Sequence, residues 1–105
     1  MSKMINIAKD FSPFAAGRYI TDGPWSGERF REELLRPALE DGGEVSVVLD
    51  GTLGLGSSFL EEAFGGLVRA GFKQNDLRRH LTVIGKKKSY VERVWDYIEN
   101  AHSSS

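Results

Sequence analysis

The fold of this 105-residue chain is decided by the stretch Val45-Ser46-Val47-Val48-Leu49-Asp50-Gly51-Thr52-Leu53-Gly54-Leu55-Gly56-Ser57-Ser58-Phe59-Leu60. It begins with a nearly continuous apolar, β-branched run, which predicts a central strand buried on both faces. The three glycines that follow indicate a loop with unusual backbone angles. A helix is predicted next, because apolar residues recur at helical spacing. These residues are Leu60, Ala63, Phe64, Leu67 and Val68.

The rest of the sequence predicts further strands and helices around this unit. Strands are expected at 4–7, 17–21 and 81–84, from their β-branched and alternating residues. Ser26 is expected to cap a helix, and Pro37 either to kink this helix or to start a new short one near its end. Ser89 is expected to begin a last helix. The predicted fold is α/β, with a four-stranded mixed sheet and about three helices in the order β-β-α-β-α-β-α. We expect a single domain over 1–105, with disorder at 1–3 and 102–105.

Composition and charge exclude several classes of function. The chain has no cysteine, which excludes disulfides, thiol catalysis and cysteine-ligated zinc. The net charge of −1 gives no long-range attraction to nucleic acid or to an anionic membrane. No apolar run approaches the roughly 20 residues of a membrane helix, and no signal peptide is recognisable. We therefore expect a cytoplasmic protein with no metal, cofactor, nucleic acid or membrane partner.

The serine pair Ser57-Ser58 at the strand-to-helix turn is the most informative feature of the sequence. Ser58-Phe59-Leu60-Glu61 matches a capping box, in which Ser58 and Glu61 would each bond the other's backbone N–H. The start of a helix carries unpaired N–H groups and partial positive charge, so a phosphate on serine is favourably placed there. On the simplest interpretation, Ser58 is only a helix cap.

This segment resembles the STAS domain of anti-sigma factor antagonists and sulfate transporter tails. Those domains carry a strand, a loop with an Asp-Ser-Ser-Gly-Leu type sequence and a helix. The resemblance extends over about residues 4–100 in its order of elements. It is greatest to small uncharacterised bacterial STAS-like proteins that have a Gly-Ser-Ser-Phe-Leu-Glu-Glu type turn. Two positions depart from the antagonist pattern, because Gly56 replaces its Asp and Phe59 replaces its Gly.

The resemblance implies a regulatory module that binds another protein and is switched by serine phosphorylation. The phosphoacceptor on matching positions would be Ser58, with Ser57 beside it. The implied partner is a serine kinase or an anti-sigma-like regulator. The implied docking surface surrounds the start of the helix. It consists of Gly54, Leu55, Gly56, Phe59, Glu61 and Glu62.

Two other functions are weighed against this one. The glycine-rich turn before a helix is also typical of phosphate-binding loops, so binding of a small ligand or nucleotide is the alternative. Enzyme activity is not expected, because a serine nucleophile needs a base. The candidate bases are His80 and His102, and the sequence places neither near Ser58. The trailing glycine of a Gly-x-Ser-x-Gly elbow is also missing.

Overall fold

Three parallel strands form one sheet in the computed structural model, which describes residues 2–102. The strands are β1 (Lys3–Asn6), β2 (Val45–Val48) and β3 (Leu81–Ile84), and they lie in that order across the sheet. In the register, Val47 is opposite Ile5 on one side and Val83 on the other. The α/β class is therefore confirmed, whereas the prediction of a four-stranded mixed sheet is wrong.

About five helices accompany the sheet within residues 2–102, where about three were predicted. Helix α1 spans 27–40 in three consecutive segments, Gly27–Phe30, Arg31–Leu35 and Arg36–Glu40. Helix α2 spans 57–69 in the segments Ser57–Leu60, Glu61–Gly65 and Gly66–Arg69. In both helices the middle segment is π-helical. The others are a π-helical turn at Ile7–Phe11, α3 (Gln74–His80) and α4 (Lys88–Asn100). Helix α3 escaped prediction because Leu77 is its one buried residue, which leaves no apolar periodicity. No helix in this described part of the chain is long and apolar enough to cross a membrane.

The strand predicted at 17–21 does not form. This segment is a bend followed by a 3₁₀ turn at Ile20–Asp22. Its carbonyl groups at Gly17 and Arg18 accept hydrogen bonds from the backbone N–H groups of Gly27 and Glu28, at 2.9 and 3.0 Å. Because these groups bind the unpaired N–H groups at the start of α1, they are not available for pairing in a sheet. The sheet therefore lacks its predicted fourth, antiparallel member.

One face of the sheet is packed and the other is open. Along β2, Val45 and Val47 are fully buried, whereas Ser46 and Val48 are only partly so. On the open face Met4 is 67% exposed and Ile84 40% exposed. The prediction that the central strand is buried on both faces is therefore wrong, because the packed side chains alternate along each strand.

The start of α1 follows the sequence prediction. Ser26 caps the helix, because its hydroxyl accepts a hydrogen bond from the backbone N–H of Arg29 at 3.2 Å. Pro37 lies in the first turn of the last segment of α1, directly after the π-helical segment Arg31–Leu35. The helix thus continues through Pro37, and its hydrogen bonding widens just before the residue that lacks an N–H.

Helices α1 and α2 pack closely through glycine. A β-carbon on Gly27 would overlap the backbone oxygen of Phe59 and lie 3.2 Å from the backbone nitrogen of Ala63. Beneath this contact, the ring centroids of Phe30 and Phe59 are 5.9 Å apart in the core. The absence of a side chain at Gly27 therefore allows the first turns of the two helices to meet.

The predicted disordered termini are tested only in part. Lys3 begins β1, and its ammonium group pairs with the carboxylate of Asp41, so residue 3 is part of the fold. His102 is exposed and follows the last helix. Residue 1 and residues 103–105 lie outside the described residues.

Candidate functional site

The loop that leads to the serine pair is anchored where β2 and β3 end. The backbone N–H of Leu49 donates to the backbone oxygen of Ile84 at 2.8 Å. The carboxylate of Asp50 accepts a hydrogen bond from the backbone N–H of Lys86 at 3.0 Å. Asp50 is therefore a strand-end residue that binds a loop amide.

The glycine-rich part of the loop lies on the surface between two buried residues, Leu49 and Leu55. Gly51 has φ of +100°, in the left-handed region that favours glycine. A β-carbon there would lie 3.1 Å from the β-carbon of Ala8. Leu55 is buried and holds the far end of the loop in the core, whereas Leu53 is 79% exposed. The N–H of Leu53 donates to the backbone oxygen of Pro13 at 2.9 Å, so this loop lies against the segment that follows Phe11.

Ser57 and Ser58 lie in the first turn of α2, and both are exposed. The predicted capping box is wrong. Gly56 occupies the N-cap position, with φ of −73° and ψ of 157°, and no side chain caps the helix. The helix thus begins before Ser58, so Ser58 is not at the cap position. The carboxylate of Glu61 pairs with arginines and not with the backbone N–H of Ser58.

The six residues predicted to form the docking surface differ in their exposure to solvent in the structure. Gly54 and Gly56 are exposed beside the serines. Leu55 and Phe59 are buried in the core, so their side chains support the turn from inside. The two remaining residues, Glu61 and Glu62, lie in the second turn of α2, where Glu61 does not cap the helix and Glu62 is buried.

Both glutamates belong to an arginine–glutamate cluster, which consists of Arg18, Arg31, Arg69, Glu61 and Glu62. Arg69 donates to both carboxylate oxygens of Glu61, at 2.7 and 3.0 Å. Arg31 donates to the carboxylate of Glu62 at 2.7 Å. Arg18 bridges the two glutamates, since its Nη1 pairs with Oε1 of Glu61 and lies 3.3 Å from Oε1 of Glu62.

The ion pairs of Glu61 with Arg18 and Arg69 stabilise the charged form of these three side chains. The bidentate hydrogen bonds from Arg69 hold the pKa of Glu61 below its ordinary value, and the bond from Arg18 acts in the same direction. Burial opposes this shift by raising the pKa. Glu61, in turn, raises the pKa of both Arg18 and Arg69 above the ordinary value. Glu61 is therefore anionic at neutral pH.

Gly66 makes room for the buried part of this cluster. A β-carbon on Gly66 would overlap the guanidinium of Arg31, which reaches across from α1. The sequence places Gly65 and Gly66 inside the helix and favours the close approach of another backbone there. This prediction is confirmed at Gly65, where a β-carbon would lie 3.4 Å from the backbone oxygen of Tyr97 in α4, whereas the group that lies against Gly66 is a side chain.

The cluster is absent from the sequence prediction. Its arginines come from the segment before α1, from α1 itself and from the end of α2, so no local spacing brings them together. The one available signal is Gly66, four residues after Glu62 on the same helix face. A helical glycine beside an acidic residue is compatible with a large basic side chain that packs across the helix there.

Other groups considered from the sequence lie in different surroundings. His80 ends α3 and lines a cavity of about 290 Å³ with Asp76 and Leu77, and neither serine is part of that lining. Within residues 2–102 no group of three or more acidic or histidine side chains is arranged to hold a metal ion. Binding of a small ligand or nucleotide by the glycine-rich loop stays a prediction.

A model of a known protein family matches the central part of the chain. The family model described as STAS-like domain of unknown function (DUF4325) matches residues 26–91, which is more than half of the chain. The matched segment includes α1, β2, the serine turn, α2 and β3. No curated protein and no solved structure gives a significant match.

Proposed function

We propose a regulatory, protein-binding role for this chain, which belongs to the family of STAS-like domains of unknown function (DUF4325). In this proposal the chain is a signalling module rather than an enzyme. It docks on a partner protein through the turn that begins α2. Phosphorylation of Ser58, or of Ser57 beside it, switches that docking.

The observation that carries the proposal is the exposure of the two hydroxyls at the start of α2. Gly56 occupies the N-cap position, so neither serine is needed to cap the helix. A kinase can modify a serine only where its hydroxyl reaches solvent. Ser57 and Ser58 meet that condition, and the partial positive charge of the helix start favours a phosphate there.

A phosphate on Ser58 would change the charge of the docking surface. Glu61 and Glu62 follow Ser58 at i+3 and i+4, so the three residues share one helix face. A phosphoserine adds about −1.5 to −2 charges at neutral pH. Because Glu61 and Glu62 are already paired with arginines, the phosphate would add negative charge that they do not balance, and a partner that binds the neutral serine would bind this face less well.

Exposed apolar side chains near the turn support a protein partner. Leu53 is 79% exposed and Phe14 is 63% exposed. The hydrogen bond between the N–H of Leu53 and the oxygen of Pro13 holds their two segments together. Apolar groups beside a charged rim are typical of protein interfaces. By resemblance, the partner is a serine kinase or an anti-sigma-like regulator.

The proposal is tested by mass spectrometry of the protein from its native cell, combined with capture of partners. The parent chain is compared with Ser57→Ala and Ser58→Ala. Ser89→Ala is the matched control, because Ser89 is also an exposed residue in the first turn of a helix, α4. We expect phosphate on Ser58 or Ser57, and partner capture that depends on that position and not on Ser89.

Unmodified serines in the native cell, together with equal partner capture by all variants, would refute the switch. Equal loss of capture in the Ser89→Ala control would show that the effect is not specific to this turn.

A further inference from the structure

The segment before α1 brings Arg18 to α2. Hydrogen bonds to the carbonyls of Gly17 and Arg18 hold this segment on the first turn of α1. That turn packs against the backbone of Phe59 through Gly27. The side chain of Arg18 reaches Glu61 and Glu62, in the second turn of α2, from a backbone that is itself fixed.

The guanidinium of Arg18 lies on the same helix face as Ser58. It pairs with Glu61 and Glu62, whose positions are one helical turn beyond Ser58. Residues at i+3 and i+4 on a helix have β-carbons about 5–6 Å from that of residue i. An arginine side chain can cover this distance by rotation of its side-chain bonds, without movement of the backbone.

The cluster can release Arg18 without leaving a glutamate unpaired. Each of its two glutamates has an arginine partner besides Arg18. Glu61 keeps its bidentate pair with Arg69, and Glu62 keeps Arg31 at 2.7 Å. The side chain of Arg18 is also about one-third exposed, which leaves it room to turn.

From these three observations we infer that Arg18 is the residue that binds a phosphate on Ser58. Its guanidinium turns from Glu61 and Glu62 to the phosphate oxygens, where two parallel N–H···O bonds form. The inference deepens the proposed function, since it concerns the same serine. It adds that an arginine of the same chain binds the phosphate and orders the turn when Ser58 is phosphorylated.

The experiment measures the titration of the phosphate itself. Phosphoserine is installed chemically or by codon reassignment at position 58 of the full chain, and ³¹P NMR follows its second ionisation. An adjacent guanidinium lowers the pKa of an acidic group. We therefore expect Arg18→Gln to raise the phosphate pKa by about one unit, and Arg18→Lys, which keeps the charge, to raise it less.

Arg69→Gln is the matched control. Arg69 binds the same two glutamates, and its backbone lies eleven residues beyond Ser58. Because Arg69 stays with Glu61 when Arg18 turns to the phosphate, the expected change in the phosphate pKa is clearly smaller for Arg69→Gln than for Arg18→Gln. Thermal unfolding of each variant checks that the chain remains folded.

An identical phosphate titration in the parent chain and in Arg18→Gln would overturn the inference. Equal shifts of the phosphate pKa in Arg18→Gln and Arg69→Gln would also overturn it. They would indicate that the phosphate responds to the total charge of the cluster and not to contact with Arg18. Because the phosphate is installed directly, the result does not depend on a cellular kinase. A cell in which neither Ser57 nor Ser58 is ever modified would refute the proposed switch and leave this measurement valid.

Discussion

Arg31 and Glu62 join α1 to α2 through a buried ion pair. The Nη1 atom of Arg31 lies 2.7 Å from a carboxylate oxygen of Glu62 and 2.7 Å from the backbone oxygen of the same residue. Both residues are at most 9% exposed. The pair is possible because Gly66 leaves the space that the guanidinium occupies. Removal of Glu62 would leave the buried Arg31 with Glu32 as its remaining carboxylate partner, at 2.9 Å.

Glu62→Gln is therefore expected to destabilise the protein. Removing one partner of a buried ion pair costs about 3 kcal/mol of the free energy of unfolding. Urea unfolding at neutral pH measures this loss. Glu33→Gln is the control, because Glu33 pairs with Arg29 on the exposed face of α1. Its expected cost is below about 0.5 kcal/mol, and similar small losses in both variants would contradict the prediction.

The second prediction concerns the dependence of stability on pH. Arg69 holds the pKa of Glu61 below its ordinary value, whereas in the unfolded chain this carboxyl titrates near about 4.3. The lowered pKa stabilises the fold above that pH, and the stabilisation is lost as pH falls through the folded pKa. Arg69→Gln should therefore cost about 1 kcal/mol at pH 7 and much less in acid.

Urea unfolding of the parent chain and of Arg69→Gln from pH 7 down to pH 3 provides this measurement. The difference between the two free energies of unfolding should shrink as the pH falls. Glu61→Gln removes the titrating group, so Arg69→Gln in that background should show a smaller dependence on pH. A constant difference over the whole pH range would argue against a role for Glu61.

The contact between α1 and α2 gives a third prediction. Gly27→Ala would place a β-carbon against the carbonyl of Phe59, a backbone atom that cannot rotate away. Overpacking of this kind typically costs about 1–3 kcal/mol. Gly56→Ala is the matched control, since nothing lies within 4 Å of a β-carbon there, and its cost at an N-cap should be below about 1 kcal/mol. Thermal or urea unfolding compares the two, and equal stability of both variants would refute the close packing.

Much of the architecture could be predicted from local patterns. The apolar run after Val45, the periodicity from Leu60 and the cap at Ser26 each depend on neighbouring residues. The first strand, the serine turn and the last helix lie within a few residues of their predicted bounds. Local patterns are sufficient there because side-chain period and capping chemistry act over one or two turns.

The errors arise where a distant segment competes for the same groups. Residues 17–21 have the composition of a strand, but their carbonyls bind the start of α1. Ser58 and Glu61 have the spacing of a capping box, but Gly56 takes the cap position and arginines bind Glu61. No property of the local sequence reveals these competing partners.

The sequence by itself determined the α/β class, the family resemblance and the position of two serines at the start of a helix. Only the tertiary structure decided that the sheet has three parallel strands, and that Arg18, Arg31 and Arg69 converge on Glu61 and Glu62. The physical reason is distance along the chain. Hydrophobic period and turn chemistry are short-range, whereas an ion pair between segments more than 30 residues apart exists only once the helices have packed.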